Sequence, residues 1–242
     1  MTTLVKIIVT TLISLSLFSC NFNMDINPGV NGNGTVTTQS RSLDQPFSAI
    51  KASQGLDVFL TPSETEHVTV EADENLQSII VTEVVDGVLK IHTKENIGYS
   101  KSKKVMVHFK AIANIVASSG SHVQSTKTIT AQNLELETSS GSNLTLHVNT
   151  NTLTCKASSG SDLNISGKTN QLIAKASSGS DIKAADLTAE TGNVKASSGA
   201  DVTVTATKEL IAKASSGADI KYYGNPIKVD MNDSASGTIK QK

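Results

Sequence analysis

Tryptophan is absent and aromatic residues make up only 3% of the 242 residues. That argues against the aromatic platforms on which sugar-binding sites and single-stranded nucleic-acid grooves rely. Charge of one sign is missing as well. The 21 Lys and Arg nearly balance 22 Asp and Glu, for a net charge of −1, so no long-range field draws in nucleic acid, which is not an expected partner. Two Cys cannot build a disulfide framework. The five His fall on separate stretches without a His-Glu-x-x-His spacing, and neither a Gly-x-Ser-x-Gly elbow nor a phosphate loop is present. No catalytic residue, metal or cofactor is therefore expected.

The longest apolar run, Ile7 to Phe18, is interrupted by Thr and Ser and is too short for a comfortable membrane span. Preceded by Lys6 and followed by Ser19-Cys20, it reads as an export signal over residues 1–19. Leu17-Phe18-Ser19-Cys20 resembles the bacterial lipobox, which would make Cys20 the lipid-modified first residue of a membrane-anchored lipoprotein. Cys155 is then left as a buried, reduced thiol. Residues 20–45 are rich in Asn, Gly, Thr and Ser with no apolar period and read as a flexible tether. Residues 46–242 read as one domain.

What the chain has in quantity is one phrase: Lys-Ala-Ser-Ser-Gly, then Ser or Ala, then Asp, then an aliphatic residue. It stands at Lys156 to Leu163, Lys175 to Ile182, Lys195 to Val202 and Lys213 to Ile220, with looser copies at Ile50 to Val58, Val116 to Val123 and Glu137 to Leu144. Gly55 belongs to the first copy, and Gly120, Gly141, Gly160, Gly179, Gly199 and Gly217 follow at intervals of 18 to 21 residues. Intervals in that range mark supersecondary units that stack. Three residues after each glycine the position is always aliphatic, from Val58 to Ile220, so that column points inward. Lys156, Lys175, Lys195 and Lys213 fall outward on one side of the glycine, and Asp57, Asp162, Asp181, Asp201 and Asp219 on the other. Such alternation on both sides of a Ser-Ser-Gly corner is what strand, bend and strand produce. The glycine is required there either for positive φ or for close backbone approach. The charged columns become ladders at the strand spacing of about 4.8 Å. Stacked acids could hold calcium, but the repeat is about twice the length of calcium-binding nonapeptide solenoids; a solvated, nearly neutral surface is the plainer expectation.

Between the first copy and the regular rungs of residues 111–242 lies a non-repeat sheet at about 61–110. Alternation places strands at His67 to Glu71, Ile79 to Val84, Val88 to His92 and Val105 to Phe109, with a helical turn at Asp73 to Gln77. Asp86-Gly87 signals a hairpin.

Taken together, Ile50 to Val58, Ala72-Asp73-Glu74-Asn75-Leu76, Asp86-Gly87-Val88-Leu89-Lys90-Ile91 and the Ala-Ser-Ser-Gly phrases resemble the auto-transporter adhesin head GIN domain family, found mostly in Bacteroidetes lipoproteins. The likeness runs from Phe47 to Tyr222. It implies a parallel β-helix-like fold in the cell envelope and carries no catalytic residues. Aligned on Gly237, the last rung departs from the pattern, with Ile239 at the Asp position and Lys240 at the aliphatic one.

The expected fold is all-β, a right-handed parallel β-helix of six or seven rungs of 19–20 residues, with an antiparallel or mixed sheet near its N-terminal end. The expected role is a non-enzymatic outer-membrane lipoprotein, a binding scaffold that shows a repetitive surface to an unknown protein or glycan. The alternative is a polysaccharide-binding or polysaccharide-acting β-helix enzyme. Residues 225–242 should form one irregular last rung that leaves the domain monomeric, the alternative being end-to-end pairing through that rung.

Overall fold

The alternating strands bury their apolar sides by stacking on one another in a computed structural model that describes residues 29–242 except Ala235. Ahead of the regular repeats come β1 (Val36–Arg41), β2 (Ala49–Ala52), β3 (Asp57–Pro62), β4 (His67–Asp73), a short 3-10 turn at Glu74–Leu76, β5 (Ile80–Val85), β6 (Val88–Thr93) and β7 (Lys103–Phe109). The repeats follow as β8 (Asn114–Ala117), β9 (His122–Ser125), β10 (Ile129–Thr138), β11 (Asn143–Ala157), β12 (Asp162–Ala176), β13 (Asp181–Ala196) and β14 (Asp201–Ala214). They end in β15 (Asp219–Tyr223), β16 (Lys228–Asp233) and β17 (Thr238–Gln241). The result is a parallel β-solenoid of about seven turns with a mixed sheet at its N-terminal end.

Register follows from the repeat length. β11 pairs in parallel with β12 at a constant offset of 19 residues, from Asn143 opposite Asp162 to Ala157 opposite Ala176. Between β12 and β13 the offset grows from 19 at Asp162–Asp181 to 20 at Gly167–Leu187. Between β13 and β14 it falls from 20 at Asp181–Asp201 to 18 at Thr191–Glu209. Extra and missing residues are thus absorbed at bulges within residues 183–191, away from the Ser-Ser-Gly corner. Inside the stack the columns Ile50, Ile115, Leu136, Cys155, Ala174, Val194 and Ala212, and Val58, Val123, Leu144, Leu163, Ile182, Val202 and Ile220, are all buried.

At every corner the chain makes the same turn. Gly55, Gly120, Gly141, Gly160, Gly179, Gly199 and Gly217 have φ between 65° and 74°, and the residue before each, Gln54 or a Ser, has φ between 49° and 59°. Positive φ at both central positions is the type I′ turn, and its closing bond is present, for example from the Ser121 N–H to the Ser118 carbonyl at 3.1 Å. A Cβ on Gly160 would meet nothing within 4 Å. Of the two reasons open for glycine, it is the dihedral angle and not close packing that requires it. Neighbouring turns are tied together: the Gly160 N–H donates to the Ser178 carbonyl at 3.1 Å, and Gly55, Gly120, Gly141, Gly179 and Gly199 repeat this bond to the next rung. Ser121, Ser142, Ser161 and Ser180, one residue past the glycines, are buried. They find partners there, as when Ser142 Oγ donates to the Ala117 carbonyl at 2.8 Å.

Residues 61–110 hold the expected strands, and Asp86 and Gly87 take φ of 53° and 73° in the hairpin turn. Their topology carries the stack one turn further than the repeat alone: β6 pairs in parallel with β2, and β7 with β3. Antiparallel β5 then closes β6, and antiparallel β4 and β1 close β7. Within the stretch 20–45 expected to be a flexible tether, Val30 and residues 36–41 are held in the fold, while residues 20–28 lie outside the described residues. β1 pairs along its full length with β4, and Val30 bridges to Ile97. An edge strand with polar side chains, held by backbone bonds, leaves no apolar period to read.

The last rung is also more regular than expected. β16 pairs in register with β14, and β17 with β15. Aligning on Gly237 misplaces this rung by one residue. Thr238 lies opposite Asp219 and Ile239 opposite Ile220, so the aliphatic column is kept. Ser236, with φ 68°, takes the place of the corner glycine. Gly237 moves into the buried small-residue column, where a Cβ would lie 2.5 Å from the Ala214 backbone.

Candidate functional site

The outward residues of the strand before each corner are set by the same register. Glu137, Lys156, Lys175, Lys195, Lys213 and Asn232 lie opposite one another from β10 to β16. Two residues on, Ser158, Ser177, Ser197 and Ser215 form a second column at the edge of the turn. Between the columns runs an open groove of about 510 Å³ whose walls are these Lys and Ser side chains and whose floor is Ala157, Ala176 and Ala196.

Charge along the groove is uneven. Lys156 Nζ bonds Glu135 Oε1 at 2.5 Å. That hydrogen bond, with the Glu135 charge and then that of Glu137, holds the ammonium above the ordinary lysine range. The ammonium groups of Lys175, Lys195 and Lys213 make no hydrogen bond or ion pair among the described residues. The Oγ atoms of Ser158, Ser177, Ser197 and Ser215 likewise have no partner there. Three like charges at successive rungs repel one another.

The acidic ladder on the other side of the corner is built differently. Asp162, Asp181, Asp201 and Asp219 lie in register, continued by Asn143, His122 and Asp57 toward the N-terminal end. Lys183 Nζ bridges two of them, 2.8 Å from Asp162 Oδ1 and 3.2 Å from Asp181 Oδ2. Its bond to Asp162 is the main reason its ammonium is held above the usual range. Among the described residues no three His, Cys, Asp or Glu side chains converge where a metal ion could sit.

Two features lie outside the ladders. His67 and His108, far apart in sequence, are opposite partners in the antiparallel β4–β7 pair, their rings stacked with centroids 3.9 Å apart. Burial, then the charges of His67 and Lys127, hold His108 below the ordinary histidine range. Only an antiparallel register read from the sequence would have brought the two together. Cys155 is a fully buried free thiol, pushed up by burial to about 12. Cys20 lies outside the described residues.

Neither ladder presents a nucleophile beside a base, and the groove is open rather than enclosed.

Residues 46–226 match the family described as "Putative auto-transporter adhesin, head GIN domain". Among solved structures, one titled a putative adhesin from Bacteroides fragilis NCTC 9343 superposes with a TM-score of 0.82 at 19% identity, covering 88% of this chain and 100% of that one. A putative adhesin from Parabacteroides merdae ATCC 43184 gives 0.71 at 21%, covering 88% and 98%. A protein titled a putative lipid binding protein from Parabacteroides distasonis ATCC 8503 gives 0.71 at 19%, covering 87% and 99%. At these identities the likeness shows a shared fold. No curated protein matches the chain. With three quarters of its length matched, the chain belongs to the auto-transporter adhesin head GIN domain family.

Proposed function

We propose that the protein is a non-enzymatic envelope lipoprotein, tethered through Cys20 and using its solenoid surface to bind a macromolecular partner. One observation carries the reading: the groove beside Lys156, Lys175, Lys195 and Lys213, a cationic track of repeated rungs with three unpaired ammonium groups. A surface of repeated identical contacts suits an extended, repetitive partner better than a single small substrate. Family membership supports a cell-envelope or surface setting, and relatives titled adhesins and a lipid-binding protein support a binding role.

Retention on immobilised envelope extract, with protein and carbohydrate fractions kept separate, tests this reading. Wild type should be retained, and the Lys175→Ala/Lys195→Ala/Lys213→Ala variant should not. Equal retention of both, or turnover of a polysaccharide that disappears on changing one acidic residue, would overturn it. Metabolic lipid labelling should mark the wild-type chain and not Cys20→Ala.

A further inference from the structure

We propose that the groove is a subsite for an acidic polysaccharide, a linear glycan whose sugar rings carry carboxylate or sulfate groups. The inference rests on the binding role just described and assigns its ligand class.

The donors available in the groove select the ligand. Backbone N–H and C=O groups of β11 to β14 are consumed by the rungs above and below, so an extended peptide finds no strand edge to join along the groove. What remains is side-chain chemistry in two parallel columns. The backbones that carry Lys175, Lys195 and Lys213 recur at the strand spacing of about 4.8 Å, close to the length of one sugar ring in an extended chain and within reach of the flexible lysine stems. Ser177, Ser197 and Ser215 repeat beside them with hydroxyls that lack protein partners and can both donate and accept. Sugar hydroxyls match that column, and ring carboxylates or sulfates match the lysines. The lack of aromatic side chains along the groove removes base stacking and sugar-ring stacking alike, so a glycan would be held by its charged groups and hydroxyls alone, and the test below sets it against an oligonucleotide. A lipid surface fits less well, because a flat array of headgroups cannot follow a trough whose floor is alanine.

The groove also has ends. Toward β10, Glu135 neutralises Lys156 and Glu137 continues the lysine column with opposite charge. Toward β16 the column passes to Asn232, with Asp230 beside it. Acidic groups fence both ends, so the bound segment spans the rungs from Lys156 to Lys213, a length of about 14 Å at strand spacing.

The test is equilibrium binding of the folded domain to six-residue probes at low and physiological salt: galacturonate, its fully methyl-esterified form, a sulfated hexasaccharide, hexaglutamate and hexathymidylate, together with phosphatidylglycerol vesicles. The proposal predicts that at least one of the two acidic glycans binds more tightly than hexaglutamate, hexathymidylate or the vesicles. Its binding should weaken as salt is raised. The esterified glycan should bind at least about tenfold more weakly than galacturonate if galacturonate is the ligand. Binding should fall by about tenfold or more in Lys175→Ala/Lys195→Ala/Lys213→Ala, since three exposed ion pairs are removed. The Lys175→Arg/Lys195→Arg/Lys213→Arg variant should restore most of it. The variant Lys168→Ala/Lys221→Ala/Lys240→Ala, equal in charge and outside the groove, should bind like wild type. All of these lysines are outward, and an unchanged circular dichroism spectrum confirms folding. The proposal is overturned if neither acidic glycan binds, if the peptide, oligonucleotide or vesicles bind as tightly, or if the control variant loses as much. Should the glycans fail while retention on envelope extract still depends on the groove lysines, the binding role stands and only this ligand class falls.

Discussion

Ser178 holds φ 55° at the first central position of its turn, with Gly179 at 67° in the second. A side chain with a Cβ is disfavoured in that region by about 1 kcal/mol or more, and Asn tolerates it best. Asn-Gly is also the preferred type I′ pair. Ser178→Asn should therefore raise the urea midpoint, by a stabilisation of a few tenths to about 1 kcal/mol, whereas Gly179→Ala should cost about 1 kcal/mol. A lower midpoint for Ser178→Asn would contradict the turn assignment. Cys155 gives a second residue-scale prediction. Its thiol ionises near 9 when unfolded and at about 12 in the fold. Between those values the unfolded chain has lost a proton that the folded one keeps, so stability falls as pH rises from about 9 toward 12. Lys156 and Lys183, also raised, act in the same direction. In Cys155→Ala the alkaline fall should be shallower, and native Cys155 should resist thiol reagents. An unchanged slope would count against a buried, protonated thiol.

Among elements, the approach to the N-terminal strand is clasped by one buried carboxylate. Asp73 accepts N–H bonds from Gly34 at 2.9 Å, Ser102 at 2.9 Å and Lys101 at 3.1 Å. Burial by itself would raise this carboxyl; the bonds from Ser102, Gly34 and Lys101 together outweigh it, so the group sits below its ordinary value. A depressed value means stability present above the unfolded value near 3.8 and lost as pH falls through the folded one. Asp73→Ala should accelerate amide exchange in residues 31–41 and 100–102 while β11 to β14 keep their protection. Equal exchange along the whole chain would contradict this local clasp. The clasp was not legible in the sequence. Asp73 stands in the Ala-Asp-Glu-Asn-Leu stretch that read as a helical turn, and nothing local reveals its bond to Gly34. Strands that bury alternate residues, such as Val88–Thr93, were plain. The polar β1, held by backbone pairing, was not.

Over the whole molecule, the repeat made the stack of β8 to β15 and both ladders readable, because each column is a rule applied at every rung. The order of rungs at the N-terminal end was hidden. β6 and β7 follow β2 and β3 in the chain but lie beneath them, an arrangement set by long-range pairing. The shift at Gly237 was hidden for a related reason: the glycine marks close approach to Ala214 and no longer the corner. At the open C-terminal end, Val229 and Met231 continue inward columns yet stay 38% and 50% exposed, while Leu210, Ala212 and Ile220 beneath the last rung are buried. Deleting residues 225–242 would uncover that layer and two free strand edges, so the shortened domain should self-associate in sedimentation while the full domain sediments as a monomer. A self-associating full domain that becomes monomeric on deletion would instead make the last rung an interface.

Spin labels on the lysine column test most directly the claim that stacked repeats build a rigid cationic track. On a Cys20→Ala/Cys155→Ala background, Lys175→Cys/Lys195→Cys places labels one rung apart, on backbones about 4.8 Å from each other, and Lys156→Cys/Lys213→Cys places them three rungs apart, about 14 Å. The account predicts strong dipolar broadening of the continuous-wave EPR spectrum for the first pair and weaker broadening for the second. Spectra of the Lys175/Lys195 pair no broader than the sum of the single labels would contradict it.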